Sequence, residues 1–328
     1  MLKSIIFSLL LCFICETYAS ELHHYFLRGE QLEAIWEETA VEPFDELILS
    51  WDASRPEQGD YLIEVSALIN GWTPWLNYAF WGAHDQYTFN EKNETTQTFQ
   101  DAFEILNGQL AAGFRVRISA KDGASLKKVR ALHVCLTNRK KHEVDQHLSK
   151  DEDIIVDLEV SGTSQICLPD DRRTRLCSPT STTAVINYHK EATRLSPLDF
   201  ANRVVDTAFD IYGNWILNTA QAAHELGSPW NCFVVRFTSF NQVIDQLLAG
   251  YPVIVSLRGP LTGSALSYQA GHLLVVKGYK SATKEVFCMD PAFPSNAQTL
   301  VSYALSDFVQ AWARRGGIAY VIHRYPTH

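Results

Sequence analysis

Leu176-Cys177-Ser178-Pro179-Thr180-Ser181 is the stretch from which the rest of the chain can be read. Proline is tolerated in the first turn of a helix, where its missing N–H costs no bond, and the apolar run Ala184, Val185, Ile186 follows at once. The cysteine therefore stands at a helix start. Unpaired N–H groups and the helix dipole favour negative charge there. A thiol attacks a carbonyl carbon well only as thiolate, and a helix start beside a histidine lowers its pKa.

Two segments downstream supply the other groups such a thiol needs. Gly271-His272-Leu273-Leu274-Val275-Val276 places an imidazole at the head of an apolar strand, and Met289-Asp290-Pro291 places a carboxylate at the end of the next strand candidate. If these strands pair as neighbours, their ends meet across the ladder. His272 would then hold and return the thiol proton, and Asp290 would fix the tautomer and orientation of its ring. Upstream, the amide of Gln165 in Ser164-Gln165 can donate to an oxyanion, together with a backbone N–H at the helix start. Each residue alone has a plainer reading: a core cysteine, a structural histidine, an aspartate that starts a turn before proline, an exposed loop amide. Their joint occurrence in this order lifts the set.

Outward from this core the chain divides. From Glu21 to Thr137 the apolar period is two, with Phe114, Val116, Ile118 and Ala120 alternating with Arg115, Arg117 and Ser119. Tyr61 to Ile69 and Leu132 to Leu136 repeat the pattern, and Leu47-Ile48-Leu49-Ser50-Trp51 is a further short strand. Turn signals such as Asn70-Gly71, Asn107-Gly108 and Asp122-Gly123 separate them, which predicts an all-β sandwich over 21–137. Residues 138–159 are polar and read as a linker. Over 160–328, helices predicted at 178–189, 197–206 and 218–226 precede mostly antiparallel strands, the pattern of an α+β domain. Residues 1–20 read as a signal peptide: Lys3 supplies the positive region, Ile5 to Cys15 the apolar one and Thr17-Tyr18-Ala19 the cleavage site. This predicts a secreted, periplasmic or cell-envelope protein with no transmembrane segment in the mature chain; a lipid anchor at Cys12 or Cys15 is disfavoured by the bulky residues before each.

The 328 residues carry 28 basic and 37 acidic side chains, a net charge of −9, with no Lys/Arg cluster interleaved with aromatics, so nucleic acid is not an expected partner. Of seven cysteines, five lie beyond the leader: Cys135, Cys167, Cys177, Cys232 and Cys288. An odd number leaves at least one thiol unpaired in an exported chain. That thiol is Cys177, or else Cys177 is bridged to nearby Cys167.

The segment Gly162-Thr163-Ser164-Gln165 through Cys177-Ser178-Pro179-Thr180-Ser181-Thr182 resembles the active-site region of the C-39-like peptidases, papain-fold cysteine peptidases found largely in exported bacterial proteins. Tyr212-Gly213-Asn214-Trp215, Tyr251-Pro252-Val253-Ile254-Val255-Ser256, the His272 and Asp290 segments, and Gly316-Gly317-Ile318-Ala319-Tyr320 extend the likeness over Val160 to Arg324. The β-rich N-terminal part resembles, more loosely, the sandwich that precedes this domain in some relatives. The resemblance implies a papain-like domain that hydrolyses peptide or related amide bonds without a cofactor or metal. Cys177 is then nucleophile, His272 base and acid, Asp290 orienting group and Gln165 oxyanion donor. A peptide or protein is the implied substrate. The chain differs from the family at Leu176, where an aromatic is expected, and in the charge of Pro169 to Arg175. Two alternatives share these residues: an amidase or transferase acting on cell-wall peptides, and a binding protein with a degenerate catalytic domain.

Other residues have two readings each. Asn214 and Trp215 line the substrate cleft, or the indole packs at a helix start. Trp72, Trp75 and Trp81 form a stacking platform for a glycan or other cell-surface ligand, or pack within the sandwich. His23-His24 are metal ligands, or belong to a mobile N-terminal stretch. Asn93-Glu94-Thr95 fits a glycosylation acceptor.

Overall fold

The computed structural model describes residues 20–26, 35–146, 153–190 and 194–324, so the expected leader over residues 1–19 lies outside the described residues. The chain is mostly sheet. Its N-terminal part contributes β1 (Ser20–Phe26), β2 (Ile35–Glu38), β3 (Glu46–Ala53), β4 (Asp60–Leu68), β5 (Leu76–Gly82), β6 (Gln86–Thr88), β7 (Asn90–Lys92), β8 (Thr96–Phe99), β9 (Ala102–Ile105), β10 (Gly113–Lys121) and β11 (Val129–Thr137). They form a six-stranded sheet in the order β1-β11-β3-β9-β8-β7 and a five-stranded sheet in the order β2-β10-β4-β5-β6. The period-two pattern sets their faces: Tyr61, Ile63 and Val65 of β4 and Phe114, Val116 and Ile118 of β10 are all buried. The sheets meet where Trp51 of β3 packs edge-on against Trp81 of β5, with centroids 6.1 Å apart. Tyr78 of β5 also accepts from the Leu49 backbone N–H of β3 at 3.0 Å.

Next come β12 (Ile155–Asp157), α1 (Cys177–His189), α2 (Pro197–Val204), α3 (Trp215–Leu226), β13 (Trp230–Arg236), α4 (Phe240–Leu248), β14 (Val253–Leu257), β15 (His272–Lys280), β16 (Glu285–Met289), β17 (Leu300–Ala304), α5 (Leu305–Ala313) and β18 (Ile318–Arg324). The strands form one seven-stranded sheet in the order β13-β18-β14-β15-β16-β17, with β12 pairing on β15. The stretch read as a linker thus contains a strand: Ile155 to Asp157 lie opposite Lys280 to Gly278 and belong to this sheet.

Every residue of β3 is buried, which an ordinary half-exposed sandwich strand would not be. Its second face covers β13, an edge strand of the seven-stranded sheet. The Cys232 and Val234 N–H groups of that edge donate to Asp52 Oδ1 and Ser50 Oγ, both at 3.0 Å, and Arg236 N–H points to Cys135 Sγ at 3.4 Å. An open strand edge presents unpaired N–H groups that invite foreign strands, and here side chains of the first sheet satisfy them. The two parts of the chain are joined by that polar seam.

Candidate active site

α1 begins at Cys177, and two hydroxyls pin its first turns. Ser178 Oγ lies 3.0 Å from Tyr320 Oη of β18, and Ser181 Oγ donates to the Leu273 carbonyl at 3.1 Å. The second bond ties the helix to the residue after His272. Cys177 is half-buried and unbridged, like Cys135, Cys167, Cys232 and Cys288, so no bridge to Cys167 exists; that exposed thiol instead reaches the Pro294 carbonyl at 3.1 Å.

β15 and β16 are antiparallel neighbours, with Val275 opposite Met289. The head of one strand therefore meets the end of the other, and His272 Nε2 lies 2.8 Å from Asp290 Oδ1. Asp290 is fully buried, yet well supplied with donors. Besides the imidazole, Ala292 N–H donates to Oδ1 at 3.0 Å, and the Tyr268 and Tyr303 hydroxyls both donate to Oδ2 at 2.7 Å. A buried carboxylate is costly unless paired, and this one is paired on both oxygens.

The electrostatics follow from these neighbours. Burial opposes ionisation of Cys177. The hydrogen bond and charge of His272, with the Leu273 and Ser178 N–H groups, outweigh it, so the thiol lies below its ordinary pKa. Burial likewise opposes protonation of His272, but the charge and hydrogen bond of Asp290, then those of Cys177, carry the imidazole well above its usual value. Burial would raise Asp290, and its His272 partner and tyrosine donors bring it below the ordinary carboxylate range instead. The three groups titrate as a unit, biased toward thiolate, imidazolium and carboxylate.

Gln165 is 3% exposed and its backbone N–H donates to the Pro291 carbonyl at 2.9 Å, which sets it beside the Asp290 segment. Its Nε2 donates to the Arg173 carbonyl at 2.8 Å, in the loop that leads to Cys177. One of the two amide hydrogens is engaged there. Asn214 is fully buried. It caps α3 by accepting from Leu217 N–H at 3.1 Å, and it donates to Asp206 Oδ2 at 2.9 Å. Trp215 is partly buried at the same helix start, where Asp101 of the N-terminal part accepts its backbone N–H, and the Arg315 guanidinium lies 5.7 Å above its ring.

Outside this region, Trp81 is core, while Trp72 and Trp75 carry the Arg115 guanidinium at 4.7 and 4.4 Å over their rings. Those faces are packed rather than open. His23 and His24 belong to β1, paired along its length with β11; no group of three ligating side chains occurs among the described residues. Asn93 turns Oδ1 to the Thr95 and Thr96 N–H groups and its Nδ2 is buried, which withdraws that acceptor nitrogen. Tyr268 and Tyr303 were not anticipated. Neither stands at a sequence spacing that relates it to Asp290.

The model of the Peptidase_C39 like family matches residues 157–320, half of the 328-residue chain. The chain belongs to that family. Membership in the Peptidase_C39 like family suggests cysteine peptidase activity and a peptide substrate. Among solved structures, a Bacillus anthracis chain described as C39-like peptidase is similar to 53% of this chain and 100% of its own, at 20% identity and a TM-score of 0.41. No curated protein matches the chain. Among the described residues no helix is long and apolar enough to cross a membrane.

Proposed function

We propose that this chain is an exported cysteine peptidase with a papain-like α+β domain, acting through Cys177, His272 and Asp290. The observation that carries the proposal is the His272–Asp290 hydrogen bond of 2.8 Å beside a thiol whose pKa the imidazole lowers. The Cys177 thiolate attacks the carbonyl carbon of a peptide bond. The oxyanion is received by backbone N–H at the start of α1 and by the free amide hydrogen of Gln165. As the C–N bond breaks, His272 gives its proton to the leaving amine, and an acyl-thioenzyme remains. Water then attacks the thioester, His272 takes its proton, and the acid leaves as the thiol is regenerated. Asp290 keeps the imidazole in the tautomer and plane these transfers need. Export rests on the leader-like composition of residues 1–20.

Labelling the full chain with iodoacetamide near neutral pH, followed by peptide mapping, tests this reading. Cys177 should be modified ahead of exposed Cys167, and His272→Ala should remove that preference. Preferential labelling of Cys167 in the native chain would overturn it. Including an added amine in the peptide digest separates hydrolysis from transfer by the product formed.

A further inference from the structure

Tyr268 lies in the segment that joins β14 to β15, four residues before His272. Its neighbours Leu266, Ser267 and Gln269 are exposed, whereas Tyr268 itself is 5% exposed. Its backbone is in the left-handed region, with φ at 51°. A bulky residue rarely adopts that conformation unless its surroundings impose it, and such outliers gather where a site demands them. Here the Gly259 and Gly271 N–H groups both hold the Tyr268 carbonyl, at 3.1 and 3.0 Å.

Two contacts show what the placement achieves. The phenol ring lies flat on the His272 imidazole, with centroids 4.0 Å apart and planes within 14°. The hydroxyl donates to Asp290 Oδ2 at 2.7 Å. Burial and then the Asp290 charge raise the hydroxyl's pKa, so it stays a donor. One side chain thus touches both partners of the imidazole–carboxylate pair. Tyr303 makes an internal comparison: it gives the same oxygen an equal 2.7 Å bond, but its ring packs beside Phe308.

We propose that Tyr268 is a positioning residue of the active site, its ring fixing the plane of His272 and favouring the imidazolium, its hydroxyl fixing Asp290. The inference rests on the triad reading above. The ring restricts rotation of the imidazole beneath it, and an aromatic face attracts a cation laid on it. The other charged groups around the ring are Asp290 at the end of β16, Cys177 at the start of α1, and Arg315 after α5, whose guanidinium lies against Gly271.

The test is an NMR titration of the His272 imidazole in the full chain, its resonance assigned by its loss in His272→Ala. Tyr268→Leu should lower the midpoint by about half a pH unit, the size of an ordinary cation–aromatic contact. Tyr268→Phe keeps the stack and should match Tyr303→Phe, since each removes one hydroxyl from Asp290 Oδ2. A Tyr268→Leu midpoint equal to the native one, or a Tyr268→Phe shift as large as that of the leucine variant, overturns the proposal. Tyr268→Met serves the same comparison should Tyr268→Leu fail to fold. Failure of the underlying reading looks different: a native His272 titrating at or below the ordinary imidazole value, with Cys177 unlabelled by iodoacetamide, removes the triad itself. An elevated native midpoint and a labelled Cys177 alongside an unshifted Tyr268→Leu remove only the role of Tyr268.

Discussion

Two buried histidine–aspartate pairs occur among the described residues, with hydrogen bonds of equal length. His272 Nε2 meets Asp290 Oδ1 at 2.8 Å, and His133 Nε2 meets Asp52 Oδ2 at 2.8 Å. What lies beyond each ring differs. His272 faces a half-buried thiol at a helix start. His133 faces His24, with their Nδ1 atoms 2.6 Å apart, and packs beside Phe233 with centroids 5.0 Å apart. The second carboxylate oxygen also has different work: on Asp290 it accepts two tyrosine hydroxyls, and on Asp52 it caps the edge of β13. A His–Asp bond is therefore not by itself a sign of catalysis. A thiol beside the ring, its exposure and the tuning of its neighbours set the candidate site apart from a seam between two sheets.

Removing each imidazole in turn is the most severe way to break the comparison. His272→Ala should lower peptide hydrolysis by about three orders of magnitude or more, since the thiolate then lacks its proton donor and acceptor. His133→Ala should leave kcat/KM of the folded protein within a few-fold. It should instead lower stability by about 1–3 kcal/mol, because Asp52 keeps a buried oxygen without its donor. Turnover of a fluorogenic peptide and urea unfolding, run on both variants, decide it. A folded His133→Ala variant as inactive as His272→Ala would erase the distinction.

A gentler change sharpens the same contrast by altering charge and keeping shape. In Asp290→Asn the imidazole loses the partner that raises its pKa, while burial, which lowers it, remains. Above the imidazolium pKa the ring has no proton to give the leaving amine. The alkaline limb of kcat/KM, set in the native chain by an imidazolium held well above its ordinary pKa, should therefore move to lower pH. The rate at its optimum should fall as well, since the tautomer is no longer enforced. An alkaline limb that stays in place would show that Asp290 does not tune His272.

How much of this was legible in the sequence depends on the range of the interaction. α1, β15 and β16 follow from local period and composition, and the meeting of His272 with Asp290 needed one assumption, that consecutive strands pair. Asn214 carries a local signal of another kind: an asparagine just before Trp215-Ile216-Leu217 is an N-cap pattern, and the cap forms. β3 was recognisable as a strand, but its burial on both faces depends on β13, far along the chain. Tyr268 and Tyr303 converge on one carboxylate oxygen from a connecting segment and a sheet-edge strand, and no period or spacing links such positions. Ile155 to Asp157 are three residues in polar surroundings, too few to show alternation, and they extend only because β15 offers them a free edge.

The smallest effect concerns stability and pH at the seam. Burial first, then the charges of His133, His323 and His23, hold His24 down to about 2, far below its ordinary value in an unfolded chain. Below about pH 6.5 the unfolded chain therefore takes up a proton at this position that the folded chain refuses. The sign follows: the contribution of His24 is fully present above that pH and is lost as the solution becomes more acid. The loss is at most about 1.4 kcal/mol per pH unit, a tenfold change in the folding constant. Asp101 acts in the opposite sense over part of this range. Burial raises it to about 7, so the folded chain binds its proton more readily than the unfolded chain does. The absolute slope mixes both groups, and the difference between native and His24→Gln proteins isolates the histidine. Unfolding free energies of the two, taken by urea titration between about pH 7 and 5, should converge toward acid pH, with the variant losing less. Parallel curves would mean that His24 accepts its proton as easily in the seam as in water.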